Sequence, residues 1–401
     1  MATRVRSYSK INLGLAIGAV RPDGFHGLTT LYQTLDLHDL VTVSAKRAAA
    51  ETRISLTTNH PFVPRDGRNT AWRMVERALA RLGEAAEVEI HIEKKLPVQG
   101  GMGAGSANAA AALLGLEREL GVALPEAERL ELAAEIGSDV PLFLLGGAVM
   151  GTGRGERVTA MRDLPKTWCV VAVPSVGVST PAAFKVWDTL VAAKGTDSIG
   201  ETEAQRKDIS GSTEANAGVL RSAQDDSVKG GRDDDQGHST LTSSPKLDKL
   251  QELSLAYSSL SEKTGDSKPG TSGILRDQSS EKQRNLLDET QEHALKNLAE
   301  NTLLALVRTG IGNDFEEVVF PQYPSLRITK RQLMGSDSDG SDVDRSAIYA
   351  ALSGSGSALF GLYRSEADAK AAQQRVQSSG VQALLTETLP RAEYWERMFA
   401  E

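Results

Sequence analysis

Pro97-Val-Gln-Gly-Gly-Met-Gly-Ala-Gly-Ser-Ala-Asn108 is the most informative stretch of the chain, and it runs into an alanine-rich segment, Ala109 to Leu120, that stops at Gly121. Four glycines within six positions (Gly100, Gly101, Gly103 and Gly105) let the backbone take positive φ angles and approach a ligand closely. At the start of a helix, such a loop aims unpaired N–H groups and the positive end of the helix dipole at one point, whose natural occupant is a phosphate. Ser106 adds a hydroxyl able to cap the helix or to reach a phosphate oxygen or a bound Mg2+. Glycine-rich loops before helices also make simple tight turns, so the segment needs partners elsewhere in the chain. Two phosphate-binding patterns are excluded at once, because there is neither a GxxxxGK[ST] loop nor an HRD or DFG motif. The spacing also fails GxGxxG, and no acidic ribose binder follows a downstream strand.

Upstream, Val5 to Ile17 alternates imperfectly and predicts a strand interrupted at Ser9-Lys10, and Leu28 to Val43 predicts a second one after the turn Arg21-Pro-Asp-Gly24. Asn69 can cap a helix with apolar positions Trp72, Val75, Leu79 and Leu82 and a stop at Gly83. Val88 to Ile92 alternates as a half-buried strand does. Downstream, Pro125 and Gly137 bound a further helix, followed by Ser138-Asp139-Val140-Pro141 and the apolar run Leu142 to Leu145. Asp139 is either a turn former before a strand or a base held near a ligand. Lys10 has the same ambiguity, since lysines in extended segments are commonly solvated edge residues. Ser353-Gly-Ser-Gly-Ser357 precedes a buried-strand pattern, Ala358 to Tyr363, and Ser365 then caps a helix to about Val376. That loop lines a site or is a tight connection.

The chain has 401 residues, 40% apolar and 24% charged, with a formal net charge of −8. It carries no basic footprint, so no nucleic-acid and no membrane partner is expected. A lone Cys169 excludes an internal disulfide and fits a reducing compartment. With no apolar run of membrane-spanning length, a cytoplasmic protein is expected. From Val191 to Glu300 there are 14 Lys or Arg against 20 Asp or Glu and a single aromatic residue, Tyr257. Such a stretch buries too little apolar surface to offset its ordering entropy, so a low-complexity, disordered insert is expected at about 191–290. Helical spacing resumes near Asn285 to Arg308, and Ser336 to Asp344 reads as a polar surface loop.

In their order along the chain, the lysine of Ser9-Lys-Ile-Asn-Leu13, the glycine loop at 97–108, Gly-Ser-Asp-Val-Pro at 137–141 and Ser-Gly-Ser-Gly at 353–356 resemble the GHMP kinases of small molecules. Arg21-Pro-Asp-Gly-Phe-His26, Leu31-Tyr-Gln-Thr-Leu-Asp36, Lys95-Leu-Pro97 and Asn313-Asp-Phe-Glu316 resemble the branch of that family acting on cytidyl-linked polyols. The resemblance implies an α/β (α+β) fold of two domains. Residues 1–165 would form a ribosomal-protein-S5-like, ATP-binding domain, and residues 166–401 a ferredoxin-like, substrate-side domain carrying the insert. It also implies phosphoryl transfer from ATP, with Mg2+, to a hydroxyl of a small molecule; a monomer or homodimer is expected. Another kinase of the family, or a non-catalytic ligand-binding relative, is the alternative.

By the same resemblance, Asp139 is the base that takes the hydroxyl proton, and Lys10 is the cation that keeps it ionised and neutralises the moving phosphoryl group. The nucleotide falls to Asn69, Lys95, Pro97 and the run Gly100, Gly101, Met102, Gly103, Ala104, Gly105, Ser106, Ala107 and Asn108, with Ser106 as a metal ligand. The second substrate falls to Asn12, Phe25, His26, Tyr32, Pro181 and Phe184, its cytosine read by His26 and packed between the aromatics at 25 and 184. His26 alone also reads as a turn histidine after Asp23-Gly24, the commoner case for an isolated histidine. Three departures stand out: Phe25 where the family has tyrosine, Gln99 and Met102 where it has Gly and Leu (a change expected at the loop's rim), and the long insert after Trp187. An insertion in a surface connection costs little closure entropy, so the fold need not suffer.

Overall fold

Alternation decides the first layer. In β4 (Ala86–Glu93) every second residue is buried, which puts Ala86, Val88, Ile90 and Ile92 on the face that packs against the helices. The computed structural model describes residues 2–21, 23–49, 51–98, 100–193, 312–335 and 347–401. The expected insert (beyond residue 193), the helical spacing at 285–308, the acidic patch at 336–344 and Gln99 lie outside the described residues.

Two long strands, β1 (Thr3–Val20) and β2 (His26–Arg47), pair antiparallel and form the spine of a seven-stranded sheet with β3 (Arg53–Thr58), β4, β5 (Ala148–Thr152), β6 (Arg157–Ala160) and β11 (Phe399–Ala400). Its helices are α1 (Thr70–Leu82), α2 (Ala104–Leu120) and α3 (Glu126–Ile136). Asn69 caps α1 by accepting from the Ala71 N–H, and Gly83 ends it in the left-handed region; a cap of this kind contributes about 1 kcal/mol. A second sheet has the order β10 (Gln382–Glu387), β7 (Trp168–Val173), β9 (Leu359–Tyr363), β8 (Tyr349–Leu352), antiparallel throughout. In chain order of its own strands this is the 4-1-3-2 arrangement expected of a ferredoxin-like domain. It packs against the helix over 180–193, the short helices Phe315–Gln322 and Pro324–Met334, and the helix Glu366–Ser378, which Ser365 caps.

Strand β1 serves all three cores. Val5 and Tyr8 enter the cluster under α1 and α2, Ile11 and Leu13 the cluster between the sheets, and Leu15 and Ile17 the cluster of the second layer. Its interruption is a register shift at Tyr8/Ser9, with others at Asn12/Gly14 and Ile17/Val20, so the strand continues through bulges where a break was expected. Bulges bend a strand and re-aim its side chains. With Ile11 and Leu13 committed to the core, alternation sends Lys10 and Asn12 to the opposite face.

Two local expectations are corrected. Helix α2 starts at Ala104, five residues before the alanine run, and its N-cap is Gly103 with no side-chain cap, so Ser106 lies inside the first turn and does not cap it. The apolar run after Pro141 is a 3-10 turn, Pro141–Leu144, and the strand begins only at Ala148.

Candidate active site

Where the two sheets meet, a cleft of about 980 Å3 opens. Lys10, Asn12, Phe25, His26, Tyr32, Gly100, Gly101, Asp139, Pro181 and Phe184 all line it. Lys10 Nζ lies 3.1 Å from Asp139 Oδ2; the lysine side chain is 2% exposed, the aspartate 31%. Nζ also donates to Asn12 Oδ1 at 2.6 Å and stands 5.4 Å from the centre of the Tyr32 ring. The Tyr32 hydroxyl donates to the other carboxylate oxygen, Asp139 Oδ1, at 3.0 Å. Burial pushes the Tyr32 phenol well above its usual range and the Asp139 carboxylate adds to the push, so the phenol keeps its proton and remains a donor. The buried lysine and the half-buried aspartate thus face each other within the cleft, each with further polar partners.

The glycine loop is stitched against this pair. The Lys10 N–H donates to Met102 O at 3.0 Å, and the Ala358 N–H to Gly100 O at 3.0 Å. Gly103 (φ +71) leaves no room for a side chain, since a Cβ there would stand 2.9 Å from Phe143 Cζ and 3.1 Å from Lys10 Cγ. At Gly101 (φ +82) a Cβ would stand 2.2 Å from Ser353 O. The Ser353 hydroxyl donates to Gly101 O at 3.0 Å, and Asn313 Nδ2 donates to Leu352 O and Gly354 O at 2.8 and 2.6 Å. Asn313-Asp-Phe-Glu316 therefore holds the 353–357 loop in place, with Glu316 accepting from the Leu352 N–H and Asp314 from the Ile17 N–H.

The residues expected to hold a nucleotide do not share one surface. Ala107 and Asn108 are buried; the Ala107 N–H is spent on Gly103 O, and the Asn108 side chain accepts from the Ser7 hydroxyl at 2.6 Å. Met102 and Ala104 are also buried, between the sheets, so Met102 is a core residue and not a rim residue. Asn69 spends its side chain on Ala71 N–H and Pro64 O, and Lys95 is exposed and paired with Glu93 at 3.1 Å. Neither of these two, nor half-buried Pro97, lines the cleft. Of the loop and the first turn of α2, Gly100 and Gly101 line the cleft, while the N–H groups of Ala104, Gly105 and Ser106 are ones that an α-helix leaves without intrahelical partners. Gly105 is exposed, its carbonyl accepting from Thr70 Oγ1 at 2.7 Å, so α1 and α2 begin side by side at the loop.

At the far end of the cleft the arrangement differs from expectation. The His26 ring itself stacks on Phe184, with centroids 4.8 Å apart and planes 12° apart, and Phe184 rests edge-on against Phe315. Phe25 is 53% exposed and its ring faces the Arg154 guanidinium 5.0 Å away. The two aromatics thus do not form an open slot, because His26 covers the Phe184 face. Sequence reasoning missed Arg154, Asp188 and the Thr180–Ser355 hydroxyl pair at 2.6 Å. The glycine hairpin Thr152-Gly-Arg-Gly-Glu156 was the available signal for Arg154, and one helical turn from Phe184 was the signal for Asp188.

Residues 69–147 match the model of the GHMP kinase N-terminal domain, and residues 286–382 that of the GHMP kinase C-terminal domain. One family model thus matches on each side of the long insertion. The chain is 42% identical over 190 residues to a 4-diphosphocytidyl-2-C-methyl-D-erythritol kinase of Nocardioides sp., a match covering 46% of this chain and 63% of that protein. A protein of the same name from Rhodococcus jostii is 43% identical over 202 residues, covering 50% and 63%. The matched part of this chain therefore spans less than two thirds of those relatives' length. A solved 4-(cytidine 5'-diphospho)-2C-methyl-D-erythritol kinase has the same fold, with a TM-score of 0.56 and 21% identity over 96% of this chain and 99% of that one. So does a homoserine kinase of Cytophaga hutchinsonii, with a TM-score of 0.55 and 15% identity over 97% and 95%. Among the described residues no helix is long and apolar enough to cross a membrane.

Proposed function

We propose that this chain is a GHMP kinase that transfers the terminal phosphoryl group of ATP to the C2 hydroxyl of 4-diphosphocytidyl-2-C-methyl-D-erythritol, giving the 2-phosphate and ADP, in the non-mevalonate (methylerythritol phosphate) route to isoprenoid precursors. The observation that carries the reading is the Lys10–Asp139 contact of 3.1 Å, set between the glycine loop and the aromatic end of one cleft. Relatives at about 42% identity bear that activity in their names.

Asp139 accepts the proton of the attacking hydroxyl, a tertiary alcohol too weak a nucleophile to react unaided; general-base assistance of this kind is worth roughly 10^2- to 10^4-fold. Tyr32 and Lys10 hold one carboxylate oxygen each, which fixes the direction of the base. Lys10 also offsets charge on the moving phosphoryl group, and phosphoryl transfer depends chiefly on such positioning and electrostatic compensation. The N–H groups at 104–106 hold the ATP phosphates. Among the described residues no three His, Cys, Asp or Glu side chains cluster as a metal cage. That fits Mg2+, which is held largely by nucleotide phosphates and one or two protein oxygens, here Ser106 with Asp139 at hand; when bound it neutralises phosphate charge. Asn12, Phe25, His26, Tyr32, Pro181 and Phe184 hold the cytidyl substrate, and Arg154, which lines the same cleft, is a cation available to its diphosphate.

The test is a coupled ADP assay over a panel of hydroxyl acceptors. Turnover with the cytidyl-linked polyol is expected. ADP release no greater than a blank overturns the reading, and turnover with mevalonate or homoserine in its place moves the enzyme to another branch of the family.

A further inference from the structure

His26 Nε2 stands 2.6 Å from Asp188 Oδ1. An ionised carboxylate only accepts hydrogen bonds, so the proton of a neutral imidazole must sit on Nε2, which leaves Nδ1 with its lone pair. Stacking on Phe184 fixes the plane of the ring, and the helix over 180–193 supplies both Phe184 and Asp188, one turn apart. The His26 ring is therefore held in both plane and tautomer. Its side chain is 9% exposed, while Asp188 is 49% exposed, and both line the cleft.

A nucleobase meeting Nδ1 meets an acceptor. Cytosine carries an amino group at C4, a donor; uracil carries a carbonyl oxygen there, a second acceptor. We propose that Asp188 is a positioning residue for base selection: by holding the proton on His26 Nε2 it makes Nδ1 an acceptor, which favours cytosine and disfavours uracil. The inference rests on the proposed cytidyl substrate. A polar site rejects a mismatched partner because buried groups are left unpaired, so about tenfold or greater preference for the cytosine form is expected. An asparagine at 188 can turn its amide toward Nε2 and donate, moving the ring proton to Nδ1 and inverting the preference of that atom.

The experiment measures inhibition by CDP and by UDP against the cytidyl-linked polyol at about pH 8, in the full-length chain. The parent enzyme, Asp188→Asn, Asp188→Ala and Asp188→Glu are compared. The UDP-to-CDP ratio of inhibition constants is expected to fall at least about fivefold in Asp188→Asn and Asp188→Ala and to recover part of the way in Asp188→Glu, with KM for ATP held. A merely structural loss would weaken CDP and UDP together. An unchanged ratio in both Asn and Ala variants overturns the inference while leaving the proposed reaction standing. Absence of turnover by the parent enzyme removes the reaction itself, a result distinct from any change among the variants. Asp188 is half exposed, so the folded state does not depend on it, and a melting curve for each variant confirms that.

Discussion

At one end of the cleft the ligand-facing surface is main chain; at the other it is side chains. Gly100 and Gly101 line the first end beside Gly354 and Gly356, and the glycine loop takes its shape from close approach to Ser353, Phe143 and Lys10. The other end is a stack of rings from distant segments, Phe315 under Phe184 under His26, with Asp188 beside it. A main-chain surface suits a phosphate, which every nucleotide shares, because it recognises charge and not identity. A side-chain surface can be chosen residue by residue and is where a family can change its substrate without disturbing the donor site.

The contrast breaks most severely where the two ends meet. Asp139→Asn is expected to lower kcat by roughly 10^2- to 10^4-fold with little change in either KM; steady-state kinetics at a near-normal rate would reduce the residue to a structural part of the Lys10 pair. Next comes the main-chain end. Gly101→Ala places a methyl where Ser353 O already stands and in an unfavourable φ, so KM for ATP should rise by about tenfold or more and stability fall by about 1–3 kcal/mol. KM for the cytidyl substrate measured in parallel should move less. His26→Ala should show the reverse, raising KM for the cytidyl substrate by about tenfold with ATP unaffected, and equal damage to both substrates would erase the distinction between the two ends.

The smallest effect belongs to Tyr32→Phe, which removes one donor from Asp139 and should lower kcat a few-fold. It also carries a pH signature. The Tyr32 phenol is held protonated well above its usual range by burial and by Asp139, whereas in the unfolded chain it ionises near pH 10. Above that pH the unfolded state binds fewer protons than the folded one, so stability falls as pH rises. Denaturant midpoints between about pH 9 and 11 should decline less steeply in Tyr32→Phe than in the parent.

Much of the fold was legible because its signals are local. Asn69 and Gly83 bracket α1, Ser365 opens the helix that follows it, and the alternation of Val88 to Ile92 appears in β4. The start of α2 was misplaced because Ala104, Gly105 and Ser106 carry no apolar periodicity to mark a helix. The run Leu142 to Leu145 was ambiguous because a short apolar stretch has no period to separate strand from turn. Of the site, Lys10 and Asp139 each had a plain alternative until a second motif gave them a common address, and no local pattern could state that they touch. His26 and Asp188 lie 162 positions apart, a pairing that only the helix docking over 180–193 creates. The open aromatic slot failed for a related reason: the sequence names rings but not which of them covers which.

Strand β1 has a second neighbour drawn from a distant part of the sequence. Its outer edge is completed by β11, where Arg4 pairs with Ala400 and Val5 with Phe399, and the Arg6 guanidinium reaches Phe399 O across 393 positions. The first sheet therefore takes its edge strand from beyond the last strand of the second. No single cut divides the chain into two self-contained sheets, because severing it between β6 and β7 would part β1 from β11.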